Sequence, residues 1–114
     1  MDLSQKKCIP CSAGTPPLKG EALQALVKKL NPSWRLVGDH LEKEYSFKNF
    51  KQALAFTNAI GKIAEEEGHH PDIFLAWGKV KLAYWTHKIN GLSESDFTMA
   101  AKSDVAREQM GELK

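Results

Sequence analysis

The chain is poor in cysteine, in net charge and in long apolar runs, and each shortage removes a class of protein. Its two cysteines, Cys8 and Cys11, form a single C-x-x-C near the N-terminus. Two thiols cannot build a multi-disulfide scaffold, and a four-ligand zinc site would need a second pair or a histidine from elsewhere. A redox C-x-x-C normally opens a helix after a strand, whereas Ser12-Ala13-Gly14-Thr15-Pro16-Pro17 follows here, which is turn and linker composition. Residues 1–17 are therefore expected to form a mobile tail with reduced thiols, ahead of one domain over residues 18–114. The 16 basic and 14 acidic residues leave a net charge of only +2, well short of the basic excess with which a domain grips phosphates, so nucleic acid is not expected as a direct ligand. No apolar run approaches the ~20 residues of a membrane span, and the first residues lack the apolar core of a secretory signal. The cytoplasm is the expected compartment, with no membrane partner.

What is present is enough for one core: 114 residues of which 42% are hydrophobic. From Leu18 onward Leu23, Leu26, Val27 and Leu30 recur at the spacing of one helical face, which Asn31-Pro32 ends. Trp34 to Val37, a turn at Gly38-Asp39-His40, and the alternating segment Leu41 to Phe47 read as a hairpin, with Lys43 the one polar residue on the apolar side. Lys48 to Glu67 reads as a long helix with Phe50, Leu54, Thr57, Ile60, Ile63 and Ala64 inward and Gly68 as its stop. Ile73 to Trp77 and Val80 to Thr86 form a second hairpin around Gly78-Lys79, with Ala83 and Trp85 on its other face. Ser93 and Asp96 have the spacing of a capping box opening a last helix to about Met110, with Phe97, Ala100, Ala101 and Val105 inward. The expected fold is α+β: a four-stranded antiparallel sheet with three helices packed on one face, in the order α-β-β-α-β-β-α. Its open edges and partly covered second face suit a homodimer or homotetramer.

Three of the four histidines fall between Glu65 and His87. His69 and His70 lie between Gly68 and Pro71, on a forced turn, and His87 closes the strand that could return to them. The run Glu65-Glu66-Glu67 at a helix C-terminus opposes the macrodipole, so Glu65 is a candidate to face the histidines, while Glu66 and Glu67 read as a solvated face. His40 reads as a surface residue, and Trp77 and Trp85 as core or interface rather than stacking platforms. A metal site of His69, His70, His87 and Asp72 is a rival reading, although adjacent histidines seldom chelate one ion well.

The spacing Glu65-x3-His69-His70-Pro71-x5-Trp77-x9-His87-x8-Asp96 resembles the signature of the pterin-4a-carbinolamine dehydratases, and the element order is similar to that family's fold. The resemblance implies a hydro-lyase that dehydrates 4a-hydroxytetrahydropterin to quinonoid dihydropterin plus water, in recycling the pterin cofactor of aromatic amino acid hydroxylases. It implies histidine acid/base catalysis by His69, His70 and His87, with Glu65, Asp96 and Thr86 binding substrate or supporting the site, and neither metal nor cofactor. Imidazole suits both proton roles near neutral pH. His70 and His87 are the expected acid and base, with His69 assisting. For Asp96, helix capping alone would also explain its spacing. The resemblance carries a second implication, since members of this family can act as dimerisation cofactors of a transcription factor. In that case the helix from Phe50 and the open sheet would be the contact surface.

Overall fold

The structure, a computed structural model, describes residues 20–30, 32–38, 40–86 and 91–110. The expected tail with Cys8 and Cys11 lies outside them. In chain order the elements are α1 (Gly20–Lys29), β1 (Arg35–Val37), β2 (His40–Ser46), α2 (Phe50–Glu67), β3 (Asp72–Ala76), β4 (Lys79–Tyr84) and α3 (Glu94–Gln109). The strands make one antiparallel sheet in the order β1-β2-β4-β3. This is the expected α+β architecture.

Alternation along the two central strands decides which side is core. Leu41 and Tyr45 of β2 and Val80, Leu82 and Tyr84 of β4 are buried among Phe56 and Ile60 of α2 and Phe97, Met99 and Ala100 of α3. Tyr45 and Phe47 both pack on the Phe56 ring, with centroids 4.6 and 5.3 Å away. Helix α1 buries none of its residues fully, and Leu23, Leu26 and Val27 only rest against this cluster.

The phase of α2 differs from expectation. Ile60 and Ala64 are buried as expected, but with Ala53 and Phe56 beside them, whereas Phe50 and Leu54 are exposed by 44% and 39%. The helix carries apolar residues around most of its circumference, and small Ala53 and Ala64 let it approach the sheet on a face that bulk alone does not single out. On α3, Ala101 and Val105 are only partly covered, and Met99, Ser103 and Ala106 join Phe97 and Ala100 inward.

Lys43 sits on the apolar side of β2, as the alternation requires, and its partner comes from α3. Its Nζ donates to Asp104 Oδ1 at 2.7 Å, Trp34 Nε1 donates to Asp104 Oδ2 at 2.9 Å, and the Tyr45 hydroxyl donates to Asp104 Oδ1. One carboxylate thus joins Trp34, just before β1, and two side chains of central strand β2 to the last helix. Burial, and then the hydrogen bond to Asp104, hold the Tyr45 hydroxyl well above the ordinary phenol range.

The other face of the sheet carries a charge ladder in which Lys81 meets Glu42 at 3.0 Å, beside exposed Val37 and Phe74. His40 is not a free turn residue. It opens β2 opposite Val37, and its ring lies 4.6 Å from that of Trp85. Trp85 is half-buried and donates to Asp72 Oδ2 at 3.3 Å, whereas Trp77, 67% exposed in the second hairpin turn, is not a core residue. That turn has no room for a side chain at Gly78. A Cβ there would stand 2.9 Å from the Phe47 carbonyl oxygen, while the Phe47 N–H donates to the Gly78 carbonyl at 2.8 Å.

Candidate active site

The end of α2 is built to turn the chain sharply. Gly68 takes the left-handed conformation with φ 65°, which glycine adopts without strain, and the N–H groups of Gly68 and His69 both return to the Ala64 carbonyl. The turn sends His69 and His70 to different places. His69, its side chain 15% exposed, reaches the start of α3, where Nε2 is 2.6 Å from Asp96 Oδ1. His70, 59% exposed, folds back onto the last turn of α2, where Nε2 is 2.5 Å from Glu65 Oε2. Neighbours in extended chain point to opposite sides, and each ring has found its own carboxylate.

Asp96 is fully buried, and its second oxygen is as occupied as its first. Oδ2 accepts the Ser93 N–H at 2.9 Å and the Thr86 hydroxyl at 2.7 Å. The capping box between Ser93 and Asp96 is therefore formed, and the same carboxylate holds His69. The cap and the imidazole contact are made by opposite oxygens of one side chain. Burying a carboxylate is expensive unless donors surround it, and three converge here.

Thr86 lies two residues past the end of β4, and a backbone bridge ties it to Gly91, with the Thr86 N–H donating at 2.8 Å. His87 follows Thr86 directly in sequence but lies outside the described residues. Of the expected site residues, the structure thus brings together His69, Asp96 and Thr86 as one hydrogen-bonded group and His70 with Glu65 as a second. Among the described residues no group of three or more His, Cys, Asp or Glu side chains is placed to hold a metal ion. None of their helices is long and apolar enough to cross a membrane. Glu66 is exposed at the rim of a shallow groove between α2 and α3, lined also by Ile63, Lys102 and Gln109.

These contacts define an α+β domain with two imidazole and carboxylate pairs at one end of its sheet, where β3 begins and β4 ends. The sequence profile of the family described as pterin 4 alpha carbinolamine dehydratase matches residues 16–106, and the chain belongs to that family. A relative from Alkaliphilus metalliredigens, provisionally named a pterin-4-alpha-carbinolamine dehydratase, is 58% identical over 104 residues, which cover 90% of this chain and 94% of that one. A relative of the same provisional name from Rubrobacter xylanophilus is 50% identical over 90% of this chain and 96% of its own. Among solved structures, a transcriptional coactivator/pterin dehydratase from Brucella melitensis superposes with a TM-score of 0.74 at 28% identity, covering 79% of this chain and 97% of that chain. A pterin dehydratase-like protein identified as a RuBisCO assembly factor in the alpha-carboxysome gives a TM-score of 0.57 at 28% identity, over 65% of this chain and 88% of that chain.

Proposed function

We propose that residues 18–114 form a hydro-lyase domain that dehydrates a 4a-hydroxytetrahydropterin to the quinonoid dihydropterin and water. In this reaction the bond between C4a and its hydroxyl oxygen breaks, the neighbouring ring nitrogen gives up its proton, and a carbon–nitrogen double bond forms between them. A proton delivered to the departing oxygen completes the water. The step is a redistribution of protons with no change of oxidation state, so an acid and a base are what it demands of the protein.

The observation that carries this reading is the pairing of two adjacent imidazoles with two different carboxylates, His69 with Asp96 and His70 with Glu65. A carboxylate on one ring nitrogen fixes the orientation of the ring and leaves the other nitrogen for substrate. We assign the acid and base roles to His70 and His87, a binding role to His69, orientation of the rings to Glu65 and Asp96, and support of Asp96 to Thr86. The pterin would be the one recycled by aromatic amino acid hydroxylases, in the cytoplasm, with the protein a homodimer or homotetramer.

The test is the decay of enzymatically generated 4a-hydroxytetrahydropterin, followed by absorbance with and without the protein. No acceleration over the spontaneous rate refutes the assignment. His70→Ala and His87→Ala are each expected to remove about 100- to 10,000-fold of the acceleration, the usual contribution of a positioned acid or base. Either variant keeping full activity means that the wrong imidazole was assigned.

A role as a protein-binding module is supported by a separate observation. Phe50 and Leu54 stand exposed one turn apart on α2, and the related Brucella structure is of a transcriptional coactivator/pterin dehydratase. On that reading Phe50→Ser with Leu54→Ser abolishes a partner-dependent phenotype that His70→Ala leaves intact. The opposite pattern makes catalysis the role that matters.

A further inference from the structure

One buried hydroxyl at this end of the sheet has no part in the assignments above. Ser93 is 8% exposed, and its Oγ lies 2.9 Å from Thr86 Oγ1 and 3.4 Å from Asp96 Oδ2. The Thr86 hydroxyl already gives its proton to Asp96 at 2.7 Å. In the contact between the two hydroxyls the donor is therefore Ser93. The hydrogen bonds run in one direction, from Ser93 to Thr86 and from Thr86 to Asp96.

We propose that Ser93 is a positioning residue for His69, acting through Thr86 and Asp96 to fix which nitrogen of the ring carries the proton. The proposal rests on the functional reading above only for its kinetic consequence. As a carboxylate Asp96 only accepts: Oδ2 takes the Ser93 N–H and the Thr86 hydroxyl, and Oδ1 is left for His69. His69 must then present Nε2–H to Asp96, and its Nδ1 is left as an acceptor. Linked donors polarise one another, so the Ser93 hydroxyl strengthens the Thr86 bond that fixes the Asp96 carboxylate and with it the direction of Oδ1; without that hold the carboxylate can turn away from Nε2, and the ring is no longer kept in one tautomer.

The hydroxyl also has a share in the cap, since the capping box pairs the Ser93 side chain with the Asp96 N–H, and the two roles are separated by the choice of variant. Ser93 has extended backbone, φ −122° and ψ 170°, which any residue adopts, and its N–H reaches Asp96 whatever its side chain is. Glycine is nearly as good an N-cap as serine, so Ser93→Gly removes the hydroxyl while largely keeping the cap. Ser93→Thr keeps both. Thr86→Val breaks the chain of donors at its middle and leaves Ser93 in place, which gives a second route to the same test if the glycine variant folds poorly.

The measurement is nitrogen-15 NMR of the histidine side chains, recorded well above the ordinary imidazole pKa of about 6.5 so that the neutral tautomers are read. Wild-type His69 is expected as the Nε2–H form, Ser93→Gly and Thr86→Val as mixtures of the two tautomers, and Ser93→Thr as wild type. In the dehydratase assay Ser93→Gly should raise KM about three- to tenfold, the scale of one hydrogen bond, with kcat changed less than about twofold. Ser93→Thr should keep the wild-type KM, and because Ser93→Gly largely keeps the cap, its raised KM is what a loss of helix capping alone does not predict. A wild-type tautomer in both Ser93→Gly and Thr86→Val overturns the proposal. The tautomer is read without substrate, so a protein with no dehydratase activity but the expected tautomer shifts keeps the positioning role and loses only the functional reading.

Discussion

His69 and Asp96 are 27 residues apart in the chain and 2.6 Å apart in space, and the contact joins the end of α2 to the start of α3. Both ends of the contact are fixed by backbone rules. Gly68 turns the chain so that His69 leaves α2 at a set angle, and the capping box holds Asp96 at the third position of α3. Neither side chain needs to search for the other, which keeps the ordering entropy of the pair low.

Asp96→Asn tests what that pair does. The amide keeps the shape, and its oxygen can still accept from Ser93 and Thr86, but its NH2 then faces His69 and must donate to it. The ring is forced into the other tautomer, as when the aspartate of a hydrolase triad is replaced by asparagine. KM should rise about 10- to 100-fold, the range expected for one charge-assisted hydrogen bond. Chemical denaturation should place Asp96→Asn close to wild type and Asp96→Ala lower by about 3 kcal/mol or more, because alanine leaves three buried donors without an acceptor. Equal KM values for wild type and Asp96→Asn would remove the orienting role.

Helix α2 gives a second prediction, since its two apolar faces are told apart by burial alone. Phe56 is fully buried against Tyr45 and Phe47, whereas Leu54 is 39% exposed. Phe56→Ala should cost about 3 to 5 kcal/mol of unfolding free energy and Leu54→Ala under about 1 kcal/mol. Comparable losses in the two variants would mean that Leu54 is covered in solution, and size-exclusion chromatography would then show an assembly that weakens in Leu54→Ser.

Local chemistry made most of this fold readable in the sequence. Gly68 as a helix stop, the Ser93 and Asp96 cap, and the alternation of Leu41 and Tyr45 each depend on a few neighbouring residues, and each stands where the pattern put it. The inward phase of α2 did not follow from pattern, because Phe50, Leu54 and Phe56 are all large and apolar and only the sheet chooses among them. Asp104 as the partner of Lys43, 61 residues away, and the His40 stack on Trp85 are tertiary pairings with no local signal. At the site, residue types and spacing pointed to the histidines and to Asp96. They could not show that one carboxylate would serve both the helix cap and the imidazole, because that depends on which oxygen each donor reaches.

The last prediction concerns pH and follows from Tyr45. Burial and the hydrogen bond to Asp104 raise the pKa of its hydroxyl, so the folded chain keeps that proton at a pH where an unfolded tyrosine, at about 10, begins to lose it. A proton held more tightly by the folded state means that the stability from this group is fully present below about pH 10 and declines as pH rises beyond it. At neutral pH Tyr45→Phe should be less stable than wild type by about 1.5 to 3 kcal/mol, the cost of a hydrogen bond to a charged acceptor, while Asp104 keeps Lys43 and Trp34. Above about pH 10 the difference between the two proteins should shrink by up to about 1.4 kcal/mol per pH unit, since one proton is linked to unfolding. Other groups that titrate there are common to both chains and largely cancel in the difference. Urea unfolding of the pair at neutral pH and again near pH 11 measures it, and a difference that does not change with pH would show that the Tyr45 hydroxyl ionises as readily in the folded chain as in the unfolded one.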